Sequence, residues 1–385
     1  MSEFTMKELK HEESRLMGLS EDLTLEILLR LPLKSLGRFK CVSKTWRSLI
    51  SNPKFAKFRL QFSNNPPLTL VLQKFNIISL LKYRNTTDIS EGVDIIPMDQ
   101  QFGGVGSCDG PHGCYCFLVG SCDGLVCLYV KIKRKICQDS LHLWNPTTNE
   151  HKQITLPMEY GLTYLNVKCC WFGFVPSLDD YKVFLVYKVG NPVYAERVHV
   201  YSVRNHRWRE IQVTGDVDSP FASETNSVFM NEALHFVDSI GRQWIHKFDL
   251  VVETFERVPF SMNPDVFPVS RQVTLGVIGI KKCICAMFIQ IPVEDEWMFE
   301  LWMLEEYNKW DSWKKVYRID LKNEIVGNLI GMFGFTYGGN LCLDDGNGLR
   351  LIDPSQDPPS YYTCRGIIYK TADFVESLIS PSSLN

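Results

Sequence analysis

Residues 19–50, LSEDLTLEILLRLPLKSLGRFKCVSKTWRSLI, have the helical spacing and the turn signals that decide the fold of the N-terminal region. Ser20 is a good helix N-cap, and Glu21 places negative charge in the first turn, where the helix dipole favours it. Four aliphatic residues then recur at helical spacing and form one apolar stripe: Leu23, Ile27, Leu28 and Leu31. Pro32 ends this helix, and two further short helices are predicted before Pro53. Three short helices cannot bury all of this apolar surface among themselves, so much of it must contact something else.

Several short segments of this stretch match one known helical module. They are Leu19, the pair Leu31-Pro32, the triplet Lys34-Ser35-Leu36 and the run 38–50. They resemble the F-box, which docks on the Skp adaptor of cullin–RING ubiquitin ligases. Ser20 departs from the family, which usually has proline there, but serine begins a helix equally well. A helical cap packed on the rest of the chain is the alternative interpretation.

The resemblance implies a role and a set of contact residues for this module, residues 16–60. It implies that the module binds a Skp-type adaptor and, through it, the cullin and RING subunits. The implied adaptor-binding residues are Leu19, Leu23, Ile27, Leu28, Leu31, Pro32, Leu36, Val42 and Trp46.

Basic residues are concentrated in the same region. From residue 30 to residue 59 there are nine Lys and Arg and no Asp or Glu, whereas the whole chain has a net charge of −3. A chain with this overall balance is not built to coat nucleic acid or acidic lipid. The basic stretch predicts either a solvated helical face or a surface that docks on an acidic partner, and the family's adaptor is acidic. Nucleic-acid binding is a third interpretation, but no aromatic platform or groove-reading helix accompanies the charges.

The cysteines, the N-terminus and the apolar runs indicate the compartment. The 13 cysteines follow no framework of even spacings, and several lie in apolar runs, where a thiol behaves as a small hydrophobe. Residues 1–15 are predicted to be a flexible polar tail without the apolar core of a signal peptide. No uninterrupted apolar run approaches the roughly 18 residues that a membrane span needs. We therefore expect a reduced cytoplasmic or nuclear compartment and no contact with a membrane.

Residues 61–375 have a different pattern from the helical region. Short alternating or fully apolar runs separated by turn signals predict an all-β domain there, followed by a C-terminal tail over residues 376–385. Strands that end in a polar or acidic residue recur with a period of roughly 50 residues. They are Leu141–Asn145, Val198–Ser202, Ile245–Asp249, Leu301–Glu305 and Leu349–Asp353. A hairpin precedes each of them, so each unit is predicted to have about four strands, as a propeller blade does.

These repeats predict the architecture of the whole chain. A sixth unit is expected from residues 68–98, closed by a last strand near residues 361–369. The fold class is therefore mainly β with a small N-terminal α module: three helices followed by a degenerate β-propeller of about six blades. Seven blades and a pair of β-sandwiches are the alternatives.

Several segments of the β region match a second known domain. They are Gly120–Leu128, Leu143–Thr147, Phe172–Phe174, Asp179–Val183, Leu275–Val277 and Glu300–Met303. They resemble the F-box-associated interaction domain of plant F-box proteins, including the S-locus group. The resemblance implies the substrate-recognition subunit of an SCF-type ubiquitin ligase, whose propeller holds an unidentified protein target. Such a subunit has no catalytic residues and no cofactor.

Side chains that could perform chemistry form no convincing set. Five residues of a glycine-rich stretch do not have the paired spacing of a zinc site: Cys108, His112, Cys114, Cys116 and Cys122. Asp179 and Asp180 could be read as a paired acid and base, but adjacent residues in a turn usually diverge into water. The alternative function is a propeller enzyme of glycosidase or oxidase type, with the helical region as a cap.

Three aromatic residues lie in or beside a long connection between predicted strands: Trp297, Tyr307 and Trp310. Long loops on a rigid β scaffold often bind partners, and aromatic side chains are good anchors there. We predict these residues as substrate contacts, with packing at the edge of the propeller as the alternative.

Overall fold

The computed structural model describes residues 21–62, 69–74, 77–82, 114–132, 139–157, 166–189, 195–212, 227–237, 244–259, 271–278, 283–290, 297–321, 331–335, 341–344, 348–353, 360–365 and 370–384. The predicted tail 1–15 and the predicted site residue Leu19 lie outside these ranges.

Helices form the first part of the described chain. They are α1 (Glu21–Arg30), α2 (Leu33–Phe39), α3 (Lys44–Ser51) and α4 (Pro53–Phe62). The N-cap of α3 is Ser43, whose hydroxyl accepts a hydrogen bond from the backbone N–H of Trp46 at 3.1 Å. The structure has one helix more than the three predicted, because Pro53 begins α4 as well as following α3. Proline fits the first position of a helix, where the N–H that it lacks would have no helical acceptor. None of the described helices is long and apolar enough to cross a membrane.

Strands make up most of the remaining described chain. They are β1 (Thr69–Lys74), β2 (Ile77–Lys82), β3 (Cys114–Cys122), β4 (Leu125–Ile132), β5 (Ser140–Asn145), β6 (Glu150–Thr155), β7 (Asn166–Val175), β8 (Asp180–Val189), β9 (Ala195–Ser202), β10 (Arg207–Ile211), β11 (Val228–Met230), β12 (Ala233–Val237), β13 (Trp244–Asp249), β14 (Thr254–Pro259), β15 (Arg271–Ile278), β16 (Cys283–Gln290), β17 (Trp297–Leu304), β18 (Trp313–Leu321), β19 (Gly331–Phe335), β20 (Leu341–Asp344), β21 (Gly348–Asp353), β22 (Ser360–Arg365) and β23 (Lys370–Phe374).

The described strands form six sheets, and neighbouring strands within them are antiparallel. Five sheets contain four consecutive strands each: β3 to β6, β7 to β10, β11 to β14, β15 to β18, and β19 to β22. The remaining sheet contains β1, β2 and β23. The predicted fold class, a small helical module followed by a propeller of four-stranded units, is confirmed.

Successive sheets cover one another's apolar faces. Their first strands are neighbours: β3 lies beside β7, β11 beside β15, and β15 beside β19. Between the sheets that contain β8 and β12, the ring of Phe184 lies 5.8 Å from that of Phe236 and 4.9 Å from that of Phe248. All three side chains are fully buried. This mutual covering is what stabilises the blades of a propeller.

A strand from the end of the chain completes the first sheet. Residues Lys370–Phe374 form β23, which pairs with β1 and also lies beside β3. The prediction that the last strand completes this sheet is confirmed, but its predicted bounds, near residues 361–369, are wrong, because Ser360–Arg365 is β22 and pairs with β21. Both runs are short and suited to a strand, and the pattern of a strand does not by itself identify its partner.

The helical region and the β domain share an apolar cluster. Ala56 of α4 is buried in the same cluster as Tyr181 of β8. Residues 376–384, predicted as a tail, also pack there, and Ile379 and Leu384 are buried members of the cluster. The two parts of the chain therefore have a common core where they meet.

Buried histidines in the sheets make the stability depend on pH. His235 is fully buried, and burial lowers its pKa to about 4. Burial also lowers the pKa of His142 to about 4. Between about pH 4 and 6.5 these side chains are neutral in the folded protein but take up protons in the unfolded chain. The free energy of unfolding therefore rises with pH across this window. The contribution of the two histidines is lost as the pH falls from about 6.5 to about 4.

We expect the His235→Asn variant to lose part of this pH dependence, on the order of 3 kcal/mol between pH 6.5 and 4. The measurement is urea unfolding at a series of pH values. His206→Asn is the control, because His206 is exposed in a turn with a φ of 51°, which asparagine tolerates. An unchanged slope in the His235 variant would show that this histidine titrates alike in both states.

Candidate functional site

The helical module, residues 21–62, has an apolar core of its own. Its buried members are Leu25, Leu28, Leu29, Leu36, Ile50 and Phe55. Trp46 is partly buried beside them, and its ring lies 5.0 Å from that of Phe39. Leu28 and Leu36 are fully buried. Both therefore pack within the module, and contact with an adaptor would need the helices to separate, so their predicted role as contact residues stays a prediction.

A second apolar side of the module is exposed. Leu23 and Ile27 of α1 are 50% and 45% exposed, and Val42 in the turn before α3 is 63% exposed. Leu23 and Ile27 are four residues apart, so they share one side of the helix. Pro32 is also exposed, while Leu31 is half-buried. We call Leu23, Ile27, Pro32 and Val42 the exposed apolar side of the module, whereas Leu31 packs against the core of the module.

Helix α1 is therefore apolar on two sides. Leu25, Leu28 and Leu29 face the core of the module, whereas Leu23 and Ile27 face outward. Complete burial of a Leu or Ile side chain stabilises a protein by about 1.5–3 kcal/mol, so covering each half-exposed one would contribute about half as much. Large contiguous patches of exposed apolar side chains often mark an interface, and these two residues would form part of one.

The module also carries an excess of positive charge. Residues 21–62 contain nine Lys and Arg against three Asp and Glu. Some of the basic residues are engaged within the chain: Arg30 pairs with Glu26 at 2.9 Å, and Arg59 donates to the carbonyl oxygen of Leu31 at 3.0 Å. Others are exposed on α2 and α3, namely Lys34, Arg38, Lys44 and Arg47. We call these four residues the basic face.

Helix α4 holds the module on the β domain. The ammonium of Lys57 lies 2.6 Å from a carboxylate oxygen of Asp179 and 4.2 Å from the centre of the Phe174 ring. The same ammonium lies 5.7 Å from the ring of Tyr181, whose hydroxyl donates to Asp123 at 2.8 Å. Sequence reasoning did not single out Lys57, although the proline at position 53 signals the helix that carries it.

The predicted aromatic contacts pack inside the β domain. Tyr307 and Trp310 are half-buried, and their ring centres lie 5.8 Å apart. Both pack on His235, whose Nε2 lies 3.1 Å from the Tyr307 hydroxyl. They belong to the apolar cluster that also contains residues of β12 and β16, so their position favours packing between sheets over substrate contact. The side chain of Trp297, the first residue of β17, lies outside the described part of the structure.

The residues considered for catalysis or metal binding are not arranged for it where they are described. Asp179 is exposed and pairs with Lys57, whereas Asp180 is buried and accepts hydrogen bonds from the Ser202 hydroxyl and the Arg204 backbone. The two carboxylates therefore have separate structural partners. Within the described ranges, no group of three or more His, Cys, Asp or Glu could hold a metal ion. Cys108 and His112 lie outside those ranges.

Comparisons with known proteins match both parts of the chain. The family model of the F-box domain matches residues 16–58, and that of the F-box associated beta propeller domain matches residues 92–353. The chain is 26% identical over 375 residues to the F-box/kelch-repeat protein At3g23880 of Arabidopsis thaliana, covering 93% of this chain and 94% of the relative. It is also 26% identical to the F-box protein CPR1 of the same plant, over 77% of this chain and 72% of the relative.

The division into core and exposed side predicts two different mutational effects. Leu36→Ala removes a fully buried side chain and is expected to destabilise the module by about 2–5 kcal/mol. Ile27→Ala changes a side chain that is 45% exposed and is expected to cost well under 1.5 kcal/mol. Hydrogen exchange of the α1 to α3 amides in the full chain measures both. Equal losses of protection would place Ile27 in the core instead.

Proposed function

Because the chain belongs to the family of F-box proteins that carry an F-box-associated β-propeller domain, we propose that it is the substrate-recognition subunit of an SCF-type cullin–RING ubiquitin ligase. In this proposal the helical module binds a Skp-type adaptor and, through it, the cullin and RING subunits. The β domain binds a protein target. Ubiquitin transfer then depends on position, because the complex raises the effective concentration of a target lysine near the charged conjugating enzyme.

One observation carries this proposal. Leu23 and Ile27 remain about half exposed although the β domain is docked on the same module through α4. Within the described ranges, the β domain and the C-terminal residues pack on one side of the module, whereas Leu23 and Ile27 on another side stay about half exposed. An adaptor that contacts this side would bury the exposed part of these side chains.

The basic face predicts that the partner has an acidic surface where it docks. Lys34 and Arg38 lie on α2, and Lys44 and Arg47 lie on α3, close in sequence to the exposed Val42. An acidic surface on the adaptor would complement these residues around the apolar contact. Complementary charges of this kind increase the association rate and the specificity more than the final affinity.

The alternative of a propeller enzyme gains no support from the described acidic residues. The buried carboxylates there are held by neighbouring groups: Asp180 by Ser202 and Arg204, Glu253 by Lys182, and Glu300 by Lys315 and Trp302. An acid or base that acts on a substrate must instead reach into a space that the substrate can enter. We therefore propose a non-catalytic role for the chain.

The first test changes the exposed apolar side. The double variant Leu23→Asp, Ile27→Asp should lose adaptor binding by at least about 100-fold, because an apolar contact would be replaced by two buried charges. Co-purification and calorimetric titration with a Skp-type adaptor measure the loss.

The matched control for this test is Val252→Asp, Val316→Asp, which makes the same chemical change at exposed aliphatic residues of the β domain. It should bind the adaptor like the wild type. Wild-type affinity in the Leu23, Ile27 variant, with the module folded by circular dichroism, would refute the proposed docking surface.

The second test concerns the basic face. Lys34→Glu, Arg38→Glu should slow association with the adaptor by about tenfold or more at low salt, and the difference should shrink as salt rises. Stopped-flow association over a range of salt concentrations measures the effect. Lys309→Glu, Lys314→Glu is the control, because these lysines are exposed on the β domain. If both variants associate equally fast, the basic face does not guide docking.

A further inference from the structure

The C-terminal segment, residues 375–384, lies where the helical module meets the β domain. Ile379 and Leu384 are buried in the cluster that contains Ala56 of α4. Leu378 packs against both this cluster and the core of the helical module. The segment thus contacts both parts of the chain, although its own sequence predicts no helix or strand.

Asn145 at the end of β5 binds the segment through its amide. Its Nδ2 donates to the carbonyl oxygen of Ser377 at 3.1 Å and to that of Ile379 at 2.7 Å. The amide oxygen of the same side chain, Oδ1, accepts a hydrogen bond from the backbone N–H of Thr147 at 2.8 Å. Asn145 is fully buried, so both functions are carried out away from water.

The corresponding position of another repeat separates these two functions. Asp249 ends β13 as Asn145 ends β5, and its Oδ1 accepts from the backbone N–H groups of Val251 at 2.8 Å and Val252 at 3.1 Å. A carboxylate is therefore sufficient to hold the turn. The amide of Asn145 is needed only for the two carbonyl groups of the C-terminal segment, because a carboxylate has no hydrogen to donate.

The turn between β3 and β4 is also adapted to the segment. Gly124 has a φ of 80°, and a Cβ atom there would lie 2.3 Å from the Ser377 hydroxyl oxygen and 2.6 Å from the Val375 carbonyl oxygen. Glu232 occupies the same place in the two-residue turn between β11 and β12, with a φ of 60°. Since a larger residue adopts that backbone conformation in the related turn, glycine at position 124 is explained by the close approach of the segment.

We propose that the C-terminal segment is a positioning clamp, which fixes the orientation of the helical module relative to the β domain for ubiquitin transfer. This inference rests on the function proposed above. A target bound to the β domain would then be presented at one distance and angle from the conjugating enzyme. Effective concentration depends on such geometry, so loosening the clamp should change where ubiquitin is attached without changing adaptor affinity.

The most specific variant is Asn145→Asp. It keeps the oxygen that holds the turn but places a carboxylate against two carbonyl oxygens, which should release the segment. Asp249→Asn is the reciprocal control at the related turn. Gly124→Asn is a second, uncharged variant: asparagine tolerates positive φ, but its Cβ would collide with Ser377.

The first measurement follows the junction itself. A carbodiimide joins Lys57 to Asp179 because their charged groups are 2.6 Å apart, and mass spectrometry quantifies this cross-link. We expect the yield to fall by at least about fivefold in Asn145→Asp and Gly124→Asn, and to stay unchanged in Asp249→Asn. Thermal unfolding of the β domain, followed by circular dichroism, shows whether each variant is folded.

The second measurement follows transfer in the complex reconstituted with a Skp-type adaptor, cullin and RING subunit. Mass spectrometry maps which lysines of the chain itself receive ubiquitin. We expect the wild type and Asp249→Asn to share one pattern, and the two clamp variants to distribute ubiquitin over additional lysines while binding the adaptor within about twofold of wild type.

Three outcomes would contradict the holding of the junction, the positioning role and the proposed function separately. Full cross-link yield in both folded clamp variants would show that the segment does not hold the junction. A lost cross-link with an unchanged lysine pattern would leave the segment a structural role only, so the positioning role would be refuted. Failure of the wild-type chain to bind the adaptor would refute the proposed function, while the cross-link would still decide whether the segment holds the junction.

Discussion

A sheet with two apolar faces is stable only when each face is covered, and this constraint arranges the rest of the chain. The four-stranded sheets of the β domain follow one another along the chain, and the remaining sheet contains strands from both ends of this domain, β1 and β2 from its start and β23 from its end. β23 pairs with β1, so this sheet joins the beginning and the end of the β domain. Because β1 follows directly after the helical module, closing the β domain also returns the end of the chain to that module. The C-terminal segment then fills the space between them.

The helical module divides its apolar residues among three tasks. One set, which includes Leu28 and Leu36, forms the module's own core. Helix α4 provides a second set that joins the β domain, supported by the contact of Lys57 with Asp179 and Phe174. The third set is the exposed apolar side, which nothing in the described chain covers completely. In the proposed function the first two sets build and orient the module, and the third binds the adaptor.

Local patterns in the sequence predicted the parts of the fold that depend on local physics. Helical spacing and proline located the N-terminal helices, and the period of the β region located the four-stranded units. That period was visible because Asn145 and Asp249 do the same local work, accepting hydrogen bonds from the backbone of the next turn. A residue that accepts hydrogen bonds from the turn after its strand therefore lies at the same place in both repeats.

Features that depend on distant parts of the chain could not be predicted in this way. An apolar stripe on α1 does not reveal which side faces the core, so the pattern alone does not distinguish the buried Leu28 from the exposed Leu23. The spacing of Tyr307 and Trp310 suggested an exposed loop, whereas both pack on His235 from a different sheet. The sequence of the C-terminal segment has no helical or strand periodicity. Its position is fixed instead by contacts with β5, α4 and the β3–β4 turn, which are distant in sequence.

Two of the hydrogen bonds that hold the C-terminal segment come from one amide, that of Asn145, so the chemical stability of this amide matters to the junction. Asparagine side chains deamidate to aspartate when the backbone nitrogen of the following residue attacks the side-chain carbonyl and a cyclic imide forms. At Asn145 this reaction would produce the carboxylate that cannot hold Ser377 and Ile379. The following residue is Pro146, whose nitrogen carries no hydrogen and is already bonded to three carbons. The imide route is therefore blocked at this position, and the contact is protected from slow spontaneous loss.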